Sequence, residues 1–306
     1  MKILILGYSN IVRKRVLNIF KEKKITIFIA SKSCKQKIPG IKKQYKSYEN
    51  ALKKSKPNLV YISLPNSEHF FWAKRSLNYR YNTLVDKPIT SNENQLKELI
   101  DISKKNKKLL AESTFFNYHL QMKKIIKMYK FDKFKKIYSK FIIPKPGKKS
   151  LLMSKKFQGG VLMDMGPYIS SIPRLFNLKK ILKKKIKIKK DKKGLIISIR
   201  FLINFREGDY NGVFKFGGIY KNQIKISNKN KTSTINRVFS PPDNENLNLE
   251  LISKKYKKII KLKKDNCFRN FFTEILKITK KKKYDFYYKR MSDDVIFRSN
   301  LIKKII

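Results

Sequence analysis

"KILILGYSNIV", residues 2–12, runs from an apolar strand through a turn into an amphipathic stretch. A strand that ends on glycine and feeds a helix is how a dinucleotide-binding βαβ unit begins. The glycine fingerprint of such a unit, G-x-G-x-x-G, is thinned here: Gly7, Ser9 and Val12 hold its three positions. In that fingerprint the first glycine permits the bend, the second lets backbone approach a pyrophosphate, and the third lets helix pack on strand. Gly7 meets the first need. Ser9 is small, and its hydroxyl and backbone N–H, followed by Asn10 and Ile11, can face a phosphate at the helix N-terminus. Taken alone, the turn fits a nucleotide site and an ordinary βα connection equally well.

Outward from this turn, short apolar runs alternate with amphipathic stretches over the first 120 residues, the pattern of βαβ units around a parallel sheet. Strands are expected at Ile3–Leu6, Ile25–Ala30, Leu59–Ser63, Thr83–Val85 and Leu109–Glu112, with helices at Ile11–Phe20, Tyr48–Lys54, Ser67–Leu77 and Asn92–Lys105. Ser91 or Asn92 can cap the last of these. After about Tyr118 the texture changes. A strand is expected at Phe134–Ile143, a buried helix at Gly160–Phe176, β-rich runs from Leu195 onward, and two closing helices at Asn266–Ile278 and Ser292–Lys303. The lysine run Lys280–Lys283 reads as a solvated loop. The expected fold is therefore an α/β Rossmann domain with a doubly wound parallel sheet over 1–118. An α+β domain with a large, mainly antiparallel open-faced sheet follows over 119–306, its last helix free to pack back on the first domain.

Composition bounds the function. A chain of 306 residues is long enough for two domains with real cores. No run of about 18 apolar residues exists, so no membrane span is expected, and the apolar start is too short for a signal peptide; a cytoplasmic location follows as an expectation. Cys34 and Cys267 lack metal-ligand spacing, so neither a metal site nor a disulfide framework is expected. The net charge of +54 comes from 64 Lys and 11 Arg, with lysine scattered through every segment. Readers of nucleic acid favour the planar fork of arginine. The charge thus reads as compositional drift toward lysine on a solvated surface, without a specific nucleic-acid partner.

Three further segments can carry chemistry. The second strand ends "IFIASKS", where an acid would bond an adenine-ribose hydroxyl; Ser31, Lys32 and Ser33 offer hydroxyls and a cation suited to a 2′-phosphate, which favours NADP over NAD. In "VYISLPNSEHFFWAKRSLNYRYNTLVDKPIT", Leu64, Pro65 and Asn66 follow the third strand, and Asp86, Lys87 and Pro88 follow the fourth. Ligands of open parallel sheets bind at those carboxyl ends. His69 in this segment suits bracing of the loop and helix start, and His119 a linker between the domains. In "FQGGVLMDMGPYISSIPRLF", Gly159 and Gly160 permit close backbone approach, and Asp164 and Tyr168 fall one helical turn apart on one face.

These segments, in this order and spacing, resemble the Gfo/Idh/MocA family, the glucose-fructose oxidoreductase and inositol dehydrogenase group. The likeness lies in the first turn, "PNSEH", "LVDKP" for the family's E-K-P, and "GGVLMDMGPY" for its G-G-x-L-x-D-x-G-x-[HY], over essentially the whole chain. It implies an NAD(P)-binding first domain and a second domain that covers a sugar-type substrate and supports a homodimer or tetramer through its sheet. Hydride would pass between nicotinamide and a carbonyl or alcohol carbon of a sugar, nucleotide sugar or polyol. By the same resemblance Lys87 positions substrate and cofactor, Asp164 binds a substrate hydroxyl, and Tyr168 is the acid/base group. Gly7, Ser9, Asn10, Ile11, Ser31, Lys32, Ser33, Leu64, Pro65, Asn66, His69, Asp86 and Lys87 are expected around the cofactor. Asp86 departs from the family's Glu. Two other readings stand beside this one: a family member without turnover that binds a ligand or regulates, and a polyanion-binding protein favoured only by charge.

Overall fold

The structure, a computed structural model, describes residues 1–34, 36–281 and 284–302. Two compact units divide the chain: Met1–Thr114 with Phe271–Ser299, and Phe115–Asn270 with the chain from Asn300 on. The boundary therefore falls at Thr114 instead of the expected 118, and a segment much longer than the last helix joins the first unit.

In the first unit, β1 (Lys2–Leu6), β2 (Thr26–Ala30), β3 (Lys43–Tyr45), β4 (Leu59–Ile62), β5 (Asn82–Asp86) and β6 (Leu110–Ser113) form one parallel sheet in the order β3-β2-β1-β4-β5-β6. Ile3–Leu6 and Leu59–Ile62 are wholly buried, as expected for strands covered on both faces. The three-residue β3 was not legible, because Lys43 and Gln44 carry no strand pattern; it exists through pairing with Phe28–Ala30 of β2. Between strands lie α1 (Leu17–Glu22), α2 (Tyr48–Ser55), α3 (Asn66–Asn78) and α4 (Glu93–Lys105). A π-helical turn at Val12–Val16 leads into α1, so the expected helix Ile11–Phe20 is present but irregular. Of the two candidate caps for α4, Asn92 does the work: its side-chain oxygen accepts from Gln95 N–H at 3.0 Å.

The second unit opens with a 3-10 turn at Phe115–Tyr118 and α5 (Leu120–Tyr129), followed by β7 (Lys135–Ile143), α6 (Val161–Leu175), β8 (Ile181–Lys190) and β9 (Ile196–Phe205). It continues through β10 (Gly208–Phe216), β11 (Lys221–Ser227), β12 (Lys231–Asn236), β13 (Leu247–Ser253) and β14 (Lys257–Leu262). These strands form one sheet, β14-β13-β12-β11-β7-β10-β9-β8, antiparallel throughout except where β10 runs parallel to β7. The edge strand β8, "ILKKKIKIKK", was hidden by its lysines; charged side chains along an edge discourage further pairing. Lys135 is 2% exposed, and its ammonium donates to Phe176 O at 3.2 Å, closing the C-terminal end of α6. Burial pulls its pKa below the usual lysine value.

Two helices close the chain, α7 (Cys267–Lys281) and α8 (Asp285–Ile302). Lys280 and Lys281 are the last turn of α7 instead of a loop, and residues 282 and 283 lie outside those described. Within the first unit, Phe272 of α7 meets Phe20 and Tyr61 edge-on, with ring centroids 4.7 and 5.6 Å away. Arg298 of α8 lies 3.8 Å from Glu112 in a buried pair, and Tyr288 OH is 2.8 Å from Ser103 Oγ. Among the described residues no helix is long and apolar enough to cross a membrane.

Replacing Phe272 with Ala empties a fully buried site in this first unit. A loss of about 3–5 kcal/mol is expected in urea unfolding; a change below about 1 kcal/mol would show that α7 is not part of its core.

Candidate active site

The strand order reverses between β1 and β4, the place where open parallel sheets bind ligands. Gly7 closes β1 with φ +99°, and a Cβ there would lie 2.1 Å from Ser63 O. No other residue fits that turn without displacing the loop after β4. The helix beginning at Asn10 offers first-turn amides that have no carbonyl partners within the helix. Ile11 is exposed, and Asn10 Oδ1 accepts from Arg13. Ser9 Oγ accepts from Val12 N–H at 3.2 Å and lies 2.8 Å from Ser63 Oγ. The expected hydroxyl face toward a phosphate is thus already engaged by protein.

At the end of β2, Ser31 is buried, with its hydroxyl oxygen accepting from Cys34 N–H at 3.2 Å. Lys32 and Ser33 are exposed, and the Lys32 ammonium rides 5.0 Å above the ring of Tyr48. Free amides at a helix start, with a cation and hydroxyls but no carboxylate at the end of β2, form a donor set that fits a phosphorylated dinucleotide.

After β4, Pro65 precedes α3 and Asn66 begins it. His69 is 1% exposed and spans two carbonyl oxygens, Leu64 O at 2.8 Å from Nε2 and Pro88 O at 2.7 Å from Nδ1. It braces the loop after β4 against the loop after β5. Asp86, the last residue of β5, accepts from Tyr61 OH at 2.6 Å, Ser63 Oγ at 2.6 Å and Ser113 Oγ at 2.7 Å. Glu112 takes Ile89 N–H at 2.8 Å. Lys87, half-buried and joined to Pro88 by a cis peptide, is therefore held by fixed groups on both sides.

In the second unit, a Cβ at Gly159 would lie 2.4 Å from Leu152 O; Gly160 has φ +95°, and a Cβ there would lie 3.0 Å from Ile196 O. The two glycines thus let the start of α6 press against protein backbone. Asp164 lies in the first turn of α6 and Tyr168 one turn later, both half-buried. The Tyr168 ring is caged by Phe116, Phe141 and Phe239 at centroid distances of 5.4, 5.6 and 5.3 Å. Within its own unit each set is assembled: Asp86 and Lys87 at the sheet end, and Asp164 and Tyr168 on α6.

Sequence reasoning passed over Asn117. Its side chain is 9% exposed, and neither its amide nitrogen nor its oxygen has a partner among the described residues. Such groups are costly to bury unless water or a ligand pairs them. His119, read as a linker residue, caps α5 instead: it is 1% exposed, and Nδ1 accepts from Gln121 N–H at 3.3 Å. No metal-holding cluster of His, Cys, Asp or Glu exists among the described residues.

Residues 1–114 match the model of the Gfo/Idh/MocA family, described as an oxidoreductase family with an NAD-binding Rossmann fold. Over that stretch, 114 of 306 residues, the chain is similar to the Gfo/Idh/MocA family. An uncharacterized oxidoreductase of Rhizobium meliloti is 27% identical over 139 residues, 44% of this chain and 42% of its own. A dTDP-3,4-didehydro-2,6-dideoxy-alpha-D-glucose 3-reductase of Actinomadura kijaniata is 24% identical over 203 residues, 64% of this chain and 60% of its own. The matches thus span less than two thirds of these relatives' length. Among solved structures, a 3-ketoreductase from Actinomadura kijaniata in complex with NADP and TDP-benzene gives a TM-score of 0.90 at 18% identity, over 98% of this chain and 96% of that one. The aldose-aldose oxidoreductase of Caulobacter crescentus gives 0.84 at 14% identity, over 99% and 96%. Nearly the whole chain therefore shares the fold of these two structures.

Two outcomes test this geometry. Gly7→Ala should lower stability by at least about 2 kcal/mol in urea unfolding, because a left-handed backbone and an occupied Cβ site are both imposed. His119 provides the second. Burial lowers its pKa, opposed by the charge of Asp265. As pH falls below about 6.5 the unfolded chain takes up the proton first, so this stability is lost between that pH and the lowered folded value. His119→Asn should flatten the dependence of Tm on pH in that window; an unchanged slope would assign the dependence to other groups.

Proposed function

We propose that the chain is an NADP(H)-preferring oxidoreductase acting on a carbonyl or alcohol carbon of a nucleotide-linked sugar. The main support is the likeness over nearly the whole chain to a 3-ketoreductase solved with NADP and a TDP ligand, joined to the motif residues Lys87, Asp164 and Tyr168. When bound, the nicotinamide supplies or accepts the hydride. Tyr168 gives its phenolic proton to the substrate oxygen on reduction and takes it back on oxidation. Its ring is held by Phe116, Phe141 and Phe239. By the resemblance Lys87 positions substrate and cofactor, and Asp164 accepts a hydrogen bond from a substrate hydroxyl. The amides of Asn10 and Ile11 hold the dinucleotide phosphates. Lys32, with the hydroxyls of Ser31 and Ser33, takes the 2′-phosphate; cytoplasmic location and self-association through the second unit's sheet belong to the same proposal.

Titration of nicotinamide fluorescence at about 0.3 M salt, which screens the surface lysines, should give tighter binding of NADPH than of NADH. No binding of either would refute the enzyme reading, and tighter NADH would reverse the cofactor preference. With a panel of nucleotide-linked keto sugars, Tyr168→Phe should lose at least about 100-fold in turnover while keeping its affinity for NADPH. Unchanged turnover would remove Tyr168 from the chemistry.

A further inference from the structure

The carboxylate of Asp86 accepts hydrogen bonds from three hydroxyls. Oδ1 accepts from Tyr61 OH at 2.6 Å and from Ser113 Oγ at 2.7 Å, and Oδ2 accepts from Ser63 Oγ at 2.6 Å. Tyr61 remains a donor, since burial and the Asp86 charge raise its pKa well above the usual phenol value. A hydroxyl carries one hydrogen. Because Ser63 gives its hydrogen to Asp86, the 2.8 Å contact between Ser9 and Ser63 has a single sense, with Ser9 donating. In its other contact Ser9 accepts, from Val12 N–H at 3.2 Å. No hydrogen is left on Ser9 for a phosphate oxygen.

We infer that Val12 N–H, Ser9, Ser63 and Asp86 form a one-way hydrogen-bond relay that positions the cofactor turn, and that Ser9 belongs to this relay instead of contacting phosphate by its hydroxyl. The inference rests on the cofactor reading above and deepens it. Phosphate donors are then the backbone amides of Asn10 and Ile11, whose direction the relay sets. Asp86 directly precedes Lys87, so one carboxylate fixes both the helix start at the phosphate and the strand end that presents the lysine. The family's Glu at this place would carry the carboxylate about 1.5 Å farther along the side chain. Aspartate is the length that keeps it among the three hydroxyls. Asp86, Ser63 and Ser9 are thus positioning residues, of which the sequence motifs marked only the first and last.

A double-mutant cycle on the full chain tests this, with Ser9→Ala, Ser63→Ala and their combination. Each is read by thermal unfolding without cofactor and by NADPH titration at about 0.3 M salt. Either single variant should weaken NADPH binding about five- to tenfold. The double should be no weaker than the worse single, because one broken bond already releases the turn, and the losses in Tm should fail to add in the same way. Ser113→Ala removes a partner of the same carboxylate outside the relay; it should lower Tm but leave NADPH affinity within about twofold. Loss of affinity in Ser9→Ala alone would restore a direct phosphate contact and overturn the relay. So would additive losses in both readouts, or a Ser113→Ala defect equal to that of Ser63→Ala. If the wild-type chain binds neither NADPH nor NADH, the cofactor reading fails, while the Tm cycle still decides whether the relay exists.

Discussion

A carboxylate at the carboxyl end of a buried parallel sheet has to be met by donors, and Asp86 meets this demand with three hydroxyls from β4, the loop after it and β6. The bonds are short, 2.6–2.7 Å, and their directions are set by which groups still own a hydrogen. Around this anchor the loop after β5 is tied twice more, by His69 at Pro88 O and by Glu112 at Ile89 N–H. Glu112 is itself buried beside Arg298, so α8, distant in sequence, reaches the loop that carries Lys87 through one intervening side chain. One lysine among 64 becomes particular through these supports and not through its own chemistry.

The second unit solves a different problem. The Tyr168 ring lies in a hydrophobic wall, fixed by edge-on and tilted contacts with Phe116, Phe141 and Phe239. The helix beneath it is bounded at one end by Gly159 and Gly160, where side chains have no room, and at the other by the buried Lys135 ammonium on Phe176 O. Elsewhere lysine is tolerated because its charge reaches water while its stem covers apolar surface. The edge strand β8 shows this most plainly, since its alternating lysines leave it paired on one side only.

Much of the first unit was legible in sequence. Apolar runs bounded by turn residues gave β1, β2, β4, β5 and β6 to within a residue or two, because a strand buried on both faces needs continuous apolar side chains. The short polar β3, the exposed β8 and the strands β13 and β14 were not, because their existence depends on a neighbour's backbone and not on their own pattern. Likewise α5 was passed over as a linker, though Met122, Ile125 and Tyr129 pack on one side of it. Asn117 left no signal of any kind; an amide becomes notable only when the fold buries it without partners.

By itself the sequence determined the order of elements, the parallel first sheet, and the residue types from which a site could be built: Gly7 where only glycine bends, Lys87 before a proline, and Asp164 and Tyr168 one helical turn apart. Those features are local, and steric limits and helical period fix them without knowledge of the rest of the chain. Tertiary structure alone decided which hydroxyl points where. Ser9, Ser63 and Asp86 are separated by 54 and 23 residues along the chain, and only the folded sheet brings them within hydrogen-bond distance, where a single proton per hydroxyl settles the direction.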